Sequence, residues 1–220
     1  MLIIRQHPVG PFQANAYLAW DEERAPGEAL LVDAGAEAGR LLAELDRRGL
    51  RLTAILQTHA HGDHIAALPE VVAATRATVY LHPDAEAMLV SAEENLSAFA
   101  GFPITAAVAT TAIMDGARLT LLGRPVAVYH TPGHAPGSVC FHFVEDDVVF
   151  TGDALFRGSI GRTDFAGGSL ETLLTGIREK LFALSDETVI YPGHMEPSTI
   201  GRERRENPFL RSNAANEGFG

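Results

Sequence analysis

Along this chain, short unbroken apolar runs alternate with segments in which apolar residues recur every three or four positions. Residues 16–20 and 29–32 are runs of the first kind and predict two strands, separated by a charged turn that holds Pro26 and Gly27. Residues 37–48 are of the second kind. Leu41, Leu42 and Leu45 fall on one helical face, and Gly49 stands where a left-handed glycine ends a helix. Residues 54–57 predict a short buried strand, 65–75 a helix and 78–81 the next strand. Residues 119–122 and 126–129 predict a strand pair around Gly123, and 139–143 with 148–150 a hairpin across Glu145, Asp146 and Asp147. Ser169 is placed to N-cap a helix ending near Leu184, and 188–191 is a last strand. A short closing helix then stops at Pro208. Strands and helices interleaved in this way predict an α/β fold whose sheets are covered by helices. No linker, charge block or low-complexity tract interrupts the pattern, so residues 1–220 are expected to form a single domain.

Composition narrows the function. The formal net charge of −11 argues against a nucleic-acid binder, which needs a basic face. Arg202, Arg204 and Arg205 are interleaved with Glu203 and Glu206 and read as a solvated helix face. The single cysteine, Cys140, rules out a disulfide within the chain and points to a reducing, cytoplasmic setting. It sits in an alternating strand run and reads as a small core residue rather than a nucleophile. The N-terminus has no secretory pattern, and no apolar window of about 18 residues exists, so no membrane partner is expected. Oligomeric state is left open.

The candidate chemistry is concentrated. His59, His61, Asp63 and His64 put three imidazoles and a carboxylate into six positions, a density that core packing does not require. Three later strands each run into a Gly- or Pro-containing turn and then one metal-competent side chain: His134, Asp153 and His194. Seven candidates exceed one tetrahedral ion and suit two adjacent cations. Imidazole with carboxylate favours zinc, iron or manganese over calcium, and the absence of ligating cysteines argues against a closed structural zinc. His7, His82, His130 and His142 lack this context and are given no metal role, although His130 is near enough in sequence to support His134. The glycines of 158–168 lack the Gly-Lys-Ser/Thr ending of a phosphate loop, and no G-x-S-x-G is present.

The motif H-x-H-x-D-H, followed in order by Pro-Gly-His134, Gly-Asp153 and Pro-Gly-His194, resembles the metallo-β-lactamase superfamily over nearly the whole chain. The resemblance implies a four-layer αβ/βα sandwich. It also implies a first metal on His59, His61 and His134, a second on Asp63, His64 and His194, and Asp153 bridging them. The run from Leu155 to Phe165 is similar to small bacterial proteins of the glyoxalase II (hydroxyacylglutathione hydrolase) type. The implied reaction is hydrolysis of a small-molecule acyl thioester such as S-D-lactoylglutathione, by attack of a hydroxide shared between two divalent cations, most simply zinc. Asp63 would orient the nucleophile as well as bind metal. Gly161-Arg162-Thr163-Asp164-Phe165 is also similar to persulfide dioxygenases, which use a single iron on the same fold and make an iron-dependent dioxygenase the alternative. Those carry Ala before the last His, where this chain has Gly193. Larger glyoxalase II enzymes add a C-terminal helical domain for glutathione; none is expected here. Arg162 has two readings, contact with an anionic substrate or a pair with Asp164. Residues 84–105, with Met88, Phe99 and Phe102, read either as an apolar wall or lid or as core.

Overall fold

Neighbouring residues of the central strands are buried on opposite sides, which is why their sequences read as unbroken apolar runs. The computed structural model describes residues 1–211; of the expected unit, residues 212–220 lie outside these. One six-stranded sheet has the order β1 (Ile3–Val9), β2 (Ala14–Trp20), β3 (Glu28–Val32), β4 (Arg51–Leu56), β5 (Thr78–Leu81), β6 (Thr111–Ala112). Its first three strands are antiparallel, and β3 to β6 are parallel. The second sheet has the order β14 (Ser198–Thr199), β13 (Val189–Pro192), β10 (Val148–Gly152), β9 (Val139–Phe143), β8 (Arg124–His130), β7 (Arg118–Leu121). A small hairpin, β11 (Leu155–Phe156) and β12 (Ser159–Ile160), follows β10.

Three cores fill the gaps. Leu18, Leu31, Ile55 and Val79 face Leu41 and Leu45 of α1 (Ala38–Arg48) and Leu68 and Val71 of α3 (Leu68–Thr75). Tyr17, Leu30 and Leu56 face the second sheet through Val126, Phe141 and Phe150. Cys140, Val149 and Ile190 meet Leu173, Ile177 and Leu181 of α5 (Leu170–Gly176) and its wider continuation at Ile177–Leu181. This is the expected four-layer αβ/βα sandwich. Burial of Leu41 and Leu45, about 1.5–3 kcal/mol each, holds a helix too short to persist alone. Gly49 ends it in the left-handed region, at φ 65°.

Several expectations need correction. β1 was not anticipated: it is an edge strand whose Arg5, Gln6 and His7 break the apolar run. The helix expected at 65–75 is two, α2 (Gly62–Ile65) and α3, with Pro69 in the first turn of α3, where its missing N–H costs nothing. The helix capped by Ser169 ends at Leu181 rather than near Leu184. Within 84–105, Met88 on α4 (Glu86–Val90) belongs to the core, whereas Phe99 and Phe102 are 80% and 63% exposed. The closing helix α6 (Ile200–Glu206) is not solvated all round. Glu203 is fully buried and accepts from Gly158 N (2.7 Å) and Asn207 Nδ2 (2.9 Å), with Ser198 on its other oxygen.

Candidate metal centre

β8, β10 and β13 run in one direction, so the loops leaving them meet at one edge of the second sheet. The loop leaving β4 meets them there: Val139 N donates to Thr58 O at 2.8 Å. Gly152 lets the two sheets close, since a Cβ on it would lie on the Thr58 side chain.

The histidine run divides because its backbone changes at His61. His61 is extended (φ −64°, ψ 151°), and Ala60, between the two histidines, is buried in the core. His61 is the N-cap of α2, and the helical turn that follows brings Asp63 and His64 to His194, with the His64 ring still 4.2 Å from that of His59. Ring nitrogens of His59, His61 and His134 lie within 4.8 Å of one another, and so do the ligand atoms of Asp63, His64 and His194. Asp153 lies between the groups. Its Oδ2 is 3.4 Å from His134 Nε2 and 3.5 Å from His194 Nε2, and its Oδ1 is 3.5 Å from His64 Nε2. All seven expected residues therefore converge.

The donor set fits divalent cations. His59 Nε2 and Asp153 Oδ1 are buried with no hydrogen-bond partner, a costly arrangement unless something else is bound. Burial, with neighbouring imidazoles, holds His59 well below the ordinary histidine pKa and His61 down at about 3. Both are thus neutral, the form that ligates. Burial opposes charge on His64, but Asp63, Asp153 and Asp33 outweigh it and raise its pKa to about 10. His194 is raised too, burial being outweighed by Asp63 and Asp153. Asp63 stays ionised: His64 and His194 overcome the burial that would protonate it. Positive charge is wanted where these carboxylates converge.

The supporting contacts orient the rings. Asp33, which was not anticipated, accepts from Thr58 N and Thr58 Oγ1, both at 2.8 Å, and its Oδ2 is 2.9 Å from His64 Nδ1. Thr58 Oγ1 is in turn 3.1 Å from His59 Nδ1. Asp33 follows β3 directly and precedes Ala34-Gly35, so the signal that could have found it is an acid at a strand end before a glycine turn, the reverse of the order Gly152-Asp153. His134 Nδ1 donates to Arg162 O at 2.8 Å, leaving Nε2 to face the centre. The Arg162 guanidinium pairs with both oxygens of Asp164 (3.0 and 2.7 Å) and lies over Phe165 at 4.4 Å, which is the second of its two readings. Phe165 lies edge-on to His61 at 5.8 Å. His130 stacks on His82 at 4.1 Å and makes no hydrogen bond to the seven. His82, His130 and Asp84 form a separate cluster, although parallel stacked rings aim their lone pairs past a shared ion.

The sequence profile described as the metallo-beta-lactamase superfamily matches residues 9–194. The chain belongs to the metallo-beta-lactamase superfamily. It is a metallo-hydrolase-superfamily enzyme whose histidine and aspartate groups are of the metal-binding kind. It is 41% identical to the probable metallo-hydrolase YqgX of Bacillus subtilis, covering 94% of this chain and 96% of that protein. It is 38% identical to the hydroxyacylglutathione hydrolase GloC of Haemophilus influenzae, over 93% and 96% of the two chains. Among solved structures it resembles the BLEG-1 B3 metallo-beta-lactamase (TM-score 0.90, 39% identity, 96% and 100% covered). It also resembles TTHA1623 in a di-iron-bound form (0.82, 38%, 94% and 100%) and ETHE1 from Myxococcus xanthus (0.77, 32%, 94% and 83%). Among the described residues, no helix is long and apolar enough to cross a membrane.

Proposed function

We propose that this chain is a hydrolase of small-molecule acyl thioesters, of the hydroxyacylglutathione hydrolase type, with residues 1–220 as one catalytic unit. His59, His61 and His134 would hold one divalent cation, and Asp63, His64 and His194 a second, with Asp153 between them. Zinc is the first choice of metal, ahead of iron and manganese. The observation that carries this reading is the pair of three-residue donor groups with one carboxylate within 3.5 Å of nitrogens from both. Bound there, such a pair supplies a Lewis acid for the thioester carbonyl and lowers the pKa of water to roughly 7. The ionised Asp63, with Oδ2 3.3 Å from His194 Nε2, is the acceptor that would orient the attacking water. His134 keeps its Nε2 toward the centre because Arg162 O takes the Nδ1 proton. Phe165, edge-on to His61 and His134, would cover that side of the donor groups. A thiolate leaving group needs no acid from the protein. Arg162, exposed but paired with Asp164, would meet an anionic thiol carrier only by exchanging that carboxylate for it.

The likeness to GloC supports the thioester, and the shared 161–165 run keeps an iron-dependent persulfide dioxygenase as the second reading. Elemental analysis of protein purified without added metal, joined to thiol release from S-D-lactoylglutathione, tests the choice. Two metal ions per chain with thiol release are expected. One iron per chain with oxygen uptake on glutathione persulfide would replace the hydrolase by the dioxygenase.

A further inference from the structure

The basic residues of this acidic chain are not evenly spread. On the face formed by the end of α5 and by α6, an open hollow of about 450 Å³ is lined by Arg178, Phe182, Arg204, Arg205, Leu210 and Arg211. Four guanidiniums from three segments meet there in a chain of net charge −11.

Their roles differ. Arg204 is structural: it donates to Phe182 O (2.6 Å) and Leu184 O (3.2 Å), pairs with Asp186 and lies over the Phe182 ring at 5.4 Å. It thereby neutralises the carbonyl end of the α5 segment, which would otherwise repel an anion. Arg205 shares the same Asp186 at 3.3 Å. Arg178 and Arg211 have no carboxylate partner among the described residues. One carboxylate thus serves two of four arginines, and the positive excess faces the hollow.

We propose that this hollow binds a small ligand bearing a diphosphate group, held by Arg178 and Arg211 with Arg205 on its third side. Guanidinium forks match phosphate oxygens two at a time, and two phosphates in series suit arginines on separate segments. The hollow is open, so a small anion there would meet the arginines from one side, and the acidic remainder of the surface repels a long polyanion. The site is independent of the metal cluster, which uses none of these residues.

Calorimetry on the full metal-loaded chain tests this with inorganic pyrophosphate, ADP, adenosine and orthophosphate. Pyrophosphate and ADP are expected to bind, with adenosine silent and orthophosphate weaker. Tighter binding of ADP than of pyrophosphate identifies a nucleotide, and the reverse identifies free pyrophosphate. The Arg178→Glu/Arg211→Glu variant should bind either ligand roughly tenfold or more weakly, with thioester hydrolysis and melting temperature unchanged. Absence of binding up to about 1 mM overturns the proposal. So does equal affinity in the variant, which would put the ligand at the metal cluster. Retention of RNA without binding of either small ligand also overturns it.

Discussion

Gly193→Ala adds one methyl at the point where the two donor groups meet. A Cβ there would fall inside the radius of Asp153 Oδ1, 2.9 Å from His64 Cε1 and 3.0 Å from the Gly152 carbonyl carbon. The turn cannot back away. Asn15 N donates to Gly193 O (2.7 Å), Gly193 N to Gly152 O (2.8 Å), Tyr17 Oη to Pro192 O (2.7 Å) and Asn15 Nδ2 to Pro192 O (3.0 Å). The Asp153 carboxylate is the freest of the crowded groups, so it must swing aside and leave both donor groups. Overpacking of this kind costs about 1–3 kcal/mol. At about 2–4 °C per kcal/mol for a chain of this size, melting should fall by about 2–12 °C. Displacing a residue that fixes ligand geometry should weaken metal binding about 10–100-fold. Thermal melts and chelator competition, with metal counted per chain, read both effects. Gly39→Ala is the control: it is an exposed position of α1 where a Cβ meets nothing within 4 Å, and the change should stabilise by up to about 1 kcal/mol. Wild-type metal stoichiometry and chelator midpoint in Gly193→Ala, with an unchanged melt, would refute the placement of Asp153 between the two groups. The same methyl distinguishes the hydrolase and dioxygenase resemblances, so its effect on metal number bears on that choice too.

Three further outcomes are expected. Asp33→Asn turns an amide N–H toward donors that need an acceptor; it should cost about 1–3 kcal/mol in urea unfolding and weaken metal binding about 10–100-fold, and an unchanged chelator midpoint would count against the role given to Asp33. Glu203→Ala strips the acceptor from Gly158 N, Ser198 and Asn207 and should cost about 2–4 kcal/mol, while Glu203→Gln, which keeps an acceptor, should cost less; equal losses would show that α6 packing rather than this bond anchors the β11–β12 hairpin. Burial pushes the Cys140 thiol up from 9.0 to about 12, so the native chain keeps a proton that the unfolded chain releases. Its contribution to stability is complete below pH 9 and is lost as pH rises toward 12, a slope that Cys140→Ala removes. A disulfide reagent at pH 8 should label Cys140 only after unfolding; rapid labelling of the native protein would contradict its burial.

The parts of this molecule that could be read from residues are those whose cause is local. β2, β3, β4, β9 and β10 were legible because both their faces are buried, so Leu30-Leu31 or Val149-Phe150 needs no alternation. β1 was not, because this edge strand carries the polar residues Arg5, Gln6 and His7 in succession, and only pairing with β2 makes it a strand. The two-residue strands β6 and β14 likewise exist only through their neighbours. His134, Asp153 and His194 were legible because each follows a strand and a turn, and His59, His61, Asp63 and His64 because of their density. Asp33 precedes its turn and stands alone in sequence, and its use depends on β3 lying beside β4, which places its carboxylate under Thr58 and His64. The partition of the histidine run needed the resemblance, yet its cause is local. His61 ends the non-helical stretch, and the helical turn beginning at Gly62 brings Asp63 and His64 to His194. A one-residue insertion between His61 and Asp63 would therefore do more than lengthen a loop: continued as helix, it would turn Asp63 and His64 by about 100° relative to His59 and His61.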